Sequence, residues 1–162
     1  VVRVMPNTPS LVRRGVAGLY AMPAVSDQER DRAQAIMQAV GQAVWVEQEA
    51  LMDAITAVSG SGPAYYFMVM ESMIAAGVEL GLTPGAAREL TIQTALGAAE
   101  LAAQSENDPA TLRLQVTSKG GTTERAIETF EQGGLRDLIR NALQSAAQRA
   151  QELGDQLGKE DA

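Results

Sequence analysis

Residues 64–82, AYYFMVMESMIAAGVELGL, restrict the possible folds of this chain more than any other stretch. Glu71 and Glu79 are its only charges, and apolar residues fall on almost every face of the helix it would form. A helix that is apolar all round must be buried, in a large core or against another subunit. The chain has 162 residues, enough for one domain or for one domain and part of a second. So small a chain has little interior to offer, and the helix therefore predicts a dimer interface. Gly77 inside it costs about 1 kcal/mol relative to alanine, for which close helix–helix approach is the expected compensation.

The rest of the chain supports a helical reading with a different opening. Val1–Val4 reads as a strand running into Met5-Pro6-Asn7-Thr8-Pro9, where two prolines predict a rigid loop. Residues 15–22 read as a second strand. Ser26 with Glu29 forms a capping-box pattern ahead of a helix striped by Ala33, Ile36, Met37 and Val40, and residues 43–46 read as a third strand. Strand, strand, helix, strand is too little to bury both faces of a sheet, so residues 1–47 read as the end of an α/β sheet.

From residue 48 onward only helices are expected. The first, 49–58, runs into SGSGP (59–63), read as a turn between buried helices, with Met68, Met70 and Met73 filling core and dimer contacts. Thr83-Pro84 and Asp108-Pro109 are N-cap and first-turn signals. Leu90, Thr94, Leu96 and Leu101 are buried candidates on the helix between them, and Gly97 is a second close-packing point. A last amphipathic helix is expected from Leu135 to about Leu157, followed by a frayed GKEDA tail.

Composition limits the chemistry. Cysteine and histidine are both absent, which removes disulfides, thiolate nucleophiles, Cys/His metal sites and imidazole acid–base catalysis. An enzyme built this way needs a bound cofactor for the hard step, and no metal site is expected. Acidic residues outnumber basic ones 20 to 13, so neither nucleic acid nor an anionic membrane is an expected partner. With no secretory signal and no apolar run of transmembrane length, a cytoplasmic location is expected. The chain opens without Met, in mid-strand, as signal removal, tag cleavage or truncation of a larger protein would each produce.

Thr117–Thr123, TSKGGTT, carries the candidate site. Hydroxyls and two glycines lead into a helix start, where free backbone N–H groups and the positive end of the helix dipole favour an anion. The same residues also suit an ordinary Gly-Gly loop with Thr122 or Thr123 as N-cap.

Together MPNTP (5–9), DAITAVSGSGPAYYF (53–67), AGVELGL (76–82), LGAAEL (96–101) and VTSKGGTTERAIETFEQGG (116–134) resemble the pyrroline-5-carboxylate reductase family. The resemblance covers Val1 to about Leu153; Lys119 stands where family members usually have proline. It implies a mainly α fold: an all-helical dimerisation and substrate-binding domain at 48–162, like the C-terminal domain of 6-phosphogluconate dehydrogenase. That domain would follow a remnant of a Rossmann sheet at 1–47. No GxGxxG occurs here, so the resemblance implies that most of the nucleotide-binding domain is absent and that the chain alone is inactive. It further implies NADPH or NADH as cofactor and 1-pyrroline-5-carboxylate as substrate, with L-proline as product. An obligate homodimer is implied as well, in a family whose dimers often assemble further.

Residue by residue, the resemblance assigns the substrate carboxylate to Ser118, Gly121, Thr122 and Thr123. It places Thr56 near the imine nitrogen, as an orienting or proton-relaying hydroxyl. Glu106 matches an acidic position contributed by the partner subunit, although a solvated charge explains it equally well. Glu49, Gln115 and Val116 match positions on the nicotinamide side. Asn7 falls near the cofactor crevice, or forms an Asx-turn before Pro9. SGSGP and TSKGGTT argue against a related dehydrogenase with another substrate. The strand-like opening argues against the remaining alternative, a stand-alone helical dimer that binds a carboxylate without catalysis.

Overall fold

The expected strands pair into one small sheet. β1 (Val2–Met5) runs antiparallel to β2 (Gly15–Ala21), and β2 runs parallel to β3 (Gly41–Trp45), in the order β1-β2-β3. The computed structural model describes the backbone of residues 1–160 and the side chains of residues 1–156. A parallel pair needs a crossover, and α1 (Asp27–Gln38) supplies it. The capping box is present: the Glu29 N–H donates to Ser26 Oγ, and the Ser26 N–H donates to the Glu29 carboxylate.

Leu19, on the central strand, is completely buried. It lies opposite Trp45 in the parallel register, so both point to one face. α1 covers that face: Trp45 Nε1 donates to Gln34 Oε1 at 2.9 Å, and the Arg30 guanidinium sits 4.5 Å from the Trp45 ring centroid. Residues 30, 34 and 37 therefore define the inward face of α1. Ile36, expected in the buried stripe, lies outside it and is 65% exposed. The proline-rich loop after β1 is a single 3-10 turn, Thr8–Val12.

The opposite face of the sheet meets α2 (Leu51–Ile55), where β2 makes room by carrying Gly18. A Cβ at Gly18 would collide with three carbons of the Ile55 side chain. SGSGP is not the expected turn. α2 continues through a π-turn, Thr56–Gly60, into α3 (Gly62–Glu79). Ser61 keeps right-handed helical angles, φ −83° and ψ −18°, and its N–H donates to the Thr56 carbonyl five residues back at 2.8 Å. A one-residue bulge of this kind keeps the helix going, and such bulges gather at functional sites.

By compactness the chain divides into residues 1–65 with 139–162, and residues 66–138. The second unit holds most of α3, then α4 (Pro84–Gln104), α5 (Pro109–Gln115) and α6 (Thr122–Gln132). α7 (Leu135–Glu160) starts there and ends in the first unit. The Thr83 and Asp108 caps form as expected, each side chain accepting the amide three residues on. Gly77 brings α3 close to α4, since a Cβ there would lie 3.3 Å from that of Ala87. Gly97 makes no such approach in this chain. Gly158–Glu160 of the expected frayed tail continue α7; Asp161 and Ala162 lie outside the described residues.

The second unit scarcely has a core of its own. Among its described residues only α4 supplies buried side chains, Ala87 and Thr91. Leu90, Thr94, Leu96 and Leu101 are exposed, as are Tyr66, Phe67, Met68 and Met73. Two free-standing compact units of these sizes would together expose about 9,300 Å². The chain exposes 12144 Å², so its helices present apolar faces that remain open among the described residues.

Candidate functional site

The TSKGGTT segment is shaped by bonds to its near neighbours. At its start the Thr117 N–H donates to the Leu114 carbonyl at 3.1 Å, and Thr117 Oγ1 donates to the Arg113 carbonyl at 2.6 Å. The Gly121 N–H then donates to the Ser118 carbonyl at 3.0 Å, closing a tight turn. Gly120, inside that turn, has φ +74°, a conformation that costs an L-residue about 1–2 kcal/mol. Its N–H donates to Glu124 Oε2 at 2.7 Å. A Cβ at Gly121 would lie 2.6 Å from the Ser118 hydroxyl and 3.0 Å from the Ser118 carbonyl oxygen, so Ser118 would have to shift to admit one.

Gly121, rather than Thr122 or Thr123, is the N-cap of α6, and no side chain caps it. Both threonines already have helical geometry, which leaves the extended position to the glycine. The backbone amides of Thr122 and Thr123 find no acceptor among the described residues. Two free N–H groups at the start of an eleven-residue helix (α6) present the donor arrangement and dipole end that suit a carboxylate.

Ser118, Gly121, Thr122 and Thr123 are thus brought together at one junction, and Gln115 and Val116 lie just ahead of it at the end of α5. Glu106 is exposed in the connection between α4 and α5. Thr56 and Glu49 belong to the other compact unit. Glu49 pairs with Arg3 at 2.7 Å, both side chains half exposed. Thr56 opens the π-turn, half-buried, and its hydroxyl donates to the Met52 carbonyl at 2.9 Å. With its proton committed to that carbonyl, the Thr56 oxygen offers only lone pairs to a ligand.

Asn7 does not form an Asx-turn with its own side chain. Its Oδ1 accepts from the Val16 N–H at 3.0 Å and its Nδ2 donates to the Ser59 carbonyl at 3.1 Å. The π-turn and this bridge were not expected from sequence; the one clue was Pro63, four residues after Ser59 and lacking an N–H. Among the described residues no group of three acidic side chains is placed to hold a metal ion, and no helix is long and apolar enough to cross a membrane.

A small sheet followed by helices with exposed apolar faces defines the class by architecture, a mainly helical fold behind a three-stranded sheet. The sequence profile described as "Pyrroline-5-carboxylate reductase dimerisation" matches residues 49–153, and the chain belongs to the pyrroline-5-carboxylate reductase family. It is 53% identical over 98% of its length to a pyrroline-5-carboxylate reductase of Pseudomonas aeruginosa, and 44% identical over 94% to one of Vibrio alginolyticus. It spans 58% and 57% of those two relatives. Among solved structures, a pyrroline-5-carboxylate reductase from Coxiella burnetii matches 94% of this chain at 50% identity with a TM-score of 0.92, over 56% of its own length. The Plasmodium falciparum enzyme, solved with NADP bound, matches 94% of the chain at 31% identity and a TM-score of 0.87, over 62% of its own length.

Proposed function

We propose that this chain is the dimerisation and substrate-binding part of a pyrroline-5-carboxylate reductase, which reduces 1-pyrroline-5-carboxylate to L-proline with NADPH or NADH. The observation that carries the reading is the free N–H pair of Thr122 and Thr123 behind the Ser118–Gly121 turn, within a chain 53% identical to such an enzyme. The start of the family match at residue 49 supports a boundary near 47/48, between the end of the nucleotide-binding sheet and the helical domain. The apolar faces of α3 and α4 support a homodimer, with further assembly of dimers beyond it.

When bound, the nicotinamide supplies the hydride that reduces the C=N carbon. The pyrophosphate fingerprint is absent from the sequence, so this chain's share of cofactor binding is limited to the nicotinamide side. Val116, 68% exposed, offers an apolar surface there, with Gln115 beside it. Glu49 does not fit as a free acceptor, because Arg3 holds its carboxylate; its contribution would be to keep the sheet end and α2 together. The amides of Thr122 and Thr123, with the Ser118 and Thr123 hydroxyls, bind and orient the substrate carboxylate. Thr56 accepts from a protonated imine nitrogen and so orients it; water delivers the proton, since a threonine hydroxyl is too weak an acid. Glu106 would contribute from the partner subunit.

The test uses the full-length product of the gene that encodes this chain. Offered 1-pyrroline-5-carboxylate and NADPH or NADH, it should oxidise the cofactor and yield L-proline. Ser118→Ala combined with Thr123→Ala should raise KM for the imino acid tenfold or more and leave the cofactor KM within twofold. No turnover in the unmodified enzyme would overturn the function. An equal rise in both KM values would overturn the carboxylate assignment.

A further inference from the structure

We infer that Asn7 is a positioning residue, which holds the π-turn so that the Thr56 hydroxyl faces the substrate nitrogen; the inference rests on the role proposed for Thr56. The argument starts from two prolines. β1 ends at Met5, opposite Gly18 in the antiparallel register. Pro6, next in line, has no N–H to give the ladder. Continuing the register would set Asn7 opposite Val16, and there the side chain takes over: Asn7 Oδ1 accepts the Val16 N–H at 3.0 Å. The ladder is thus extended by one rung through a side-chain amide.

The second proline acts at the other end of that amide. In an α-helix the Ser59 carbonyl would accept from residue 63, and residue 63 is proline. The carbonyl loses its helical partner, as Pro63 has no donor. Asn7 Nδ2 fills the place at 3.1 Å, from 52 residues away. Only one orientation of the amide serves both bonds, oxygen to Val16 and nitrogen to Ser59, so the bridge is directional. Next to it the π-turn lies directly on the end of β1, where a Cβ at Gly60 would strike the Met5 Cε.

Thr56 is the first residue of this five-residue turn, and Ser59 the fourth. The carbonyl of Thr56 closes the turn by accepting from Ser61. Fixing Ser59 to the strand end therefore fixes the pitch of the turn that starts at Thr56. Leaving the Ser59 carbonyl without a donor would loosen the turn and let the hydroxyl rotate. Asn7 itself need touch neither substrate nor cofactor for this effect.

The experiment measures kcat and both KM values on the full-length enzyme. Asn7→Asp keeps the acceptor for Val16 and replaces the donor to Ser59 by a second oxygen, so it separates the two bonds. It should lower kcat tenfold or more, as Asn7→Ala should, with the cofactor KM within twofold of the parent. Adding Pro63→Ala to Asn7→Ala returns an N–H donor to Ser59 and should recover at least half of the lost kcat on a logarithmic scale. An Asn7→Asp enzyme with the parent kcat would overturn the inference. So would a rise confined to the cofactor KM, or a loss that Pro63→Ala leaves unrelieved, since either assigns Asn7 elsewhere. A parent enzyme inactive on pyrroline-5-carboxylate would instead reject the function and leave the Asn7–Ser59 geometry as it is.

Discussion

The seat of Thr56 and the TSKGGTT loop are built on opposite plans. Thr56 is positioned by residues distant in sequence: Gly18 against Ile55, Met5 against Gly60, and Asn7 bonded to Ser59. The loop is held by residues within four positions of one another, Ser118 to Gly121 and Gly120 to Glu124. The distant arrangement gives a seat that shifts only if the sheet shifts. The local arrangement gives a seat that any chain with the same seven residues and the following glutamate could form, at the cost of a conformation only glycine tolerates well.

Overpacking the distant seat should break this contrast most visibly. Gly18→Val puts a branched side chain into space held by Ile55 and should destabilise the first unit by about 3 kcal/mol. Trp45 is the chain's only tryptophan and sits in that unit, so its fluorescence in a urea titration reads the change. A midpoint equal to the parent's would mean that α2 is not pressed against β2. Gly120→Ala probes the local seat. Nothing lies within 4 Å of the added Cβ, so only the left-handed backbone is tested, at about 1–2 kcal/mol. Faster hydrogen exchange along the first turn of α6 would register it, and an unchanged pattern would show that the loop adopts another conformation without cost.

Glu124→Ala should have a smaller effect, about 1 kcal/mol, seen as faster exchange of the Gly120 amide. Glu124→Gln keeps a neutral acceptor and should fall between the two. Equal behaviour of parent and alanine variant would remove Glu124 from the loop's support. The smallest effect is an acid one, and it belongs to local structure in both units. The Thr111 amide holds the Asp108 carboxyl below its ordinary range, and the Ser26 amide does the same for Glu29. Both groups bind protons less readily folded than unfolded. Their stabilisation is complete above the ordinary carboxylate range and fades as pH falls through the lowered folded values. Asp108→Asn keeps a cap without a titrating group and should flatten the acid limb of a stability–pH curve; an unaltered limb would mean the cap carries no such linkage.

The same division between local and distant bonds decides what could be read from sequence. Ser26 with Glu29, Thr83-Pro84 and Asp108-Pro109 announced their helices because every partner lies within three residues. The helix start behind the glycine pair was legible for the same reason, although its N-cap is Gly121 rather than Thr122 or Thr123. SGSGP was misread as a turn because small residues favour one locally, whereas the sheet and Asn7 hold it in a π-turn. Leu90, Leu96, Leu101, Met68 and Met73 looked like core, yet they are exposed. Their apolar character was read correctly, but the described residues leave these side chains uncovered. Asn7 looked like loop chemistry, since no periodicity links it to a carbonyl 52 residues on.

The missing N–H of Pro63 has an evolutionary consequence. A proline whose lost hydrogen bond is made good by one asparagine ties two distant codons together. Lineages that replace Pro63 by a residue with an amide proton release Asn7 from its duty toward Ser59, and lineages that lose Asn7 first inherit a carbonyl in need of a donor. The order of substitution is therefore not free: the proline should be exchanged before the asparagine, and descendants should carry Pro63 without Asn7 far less often than Asn7 without Pro63.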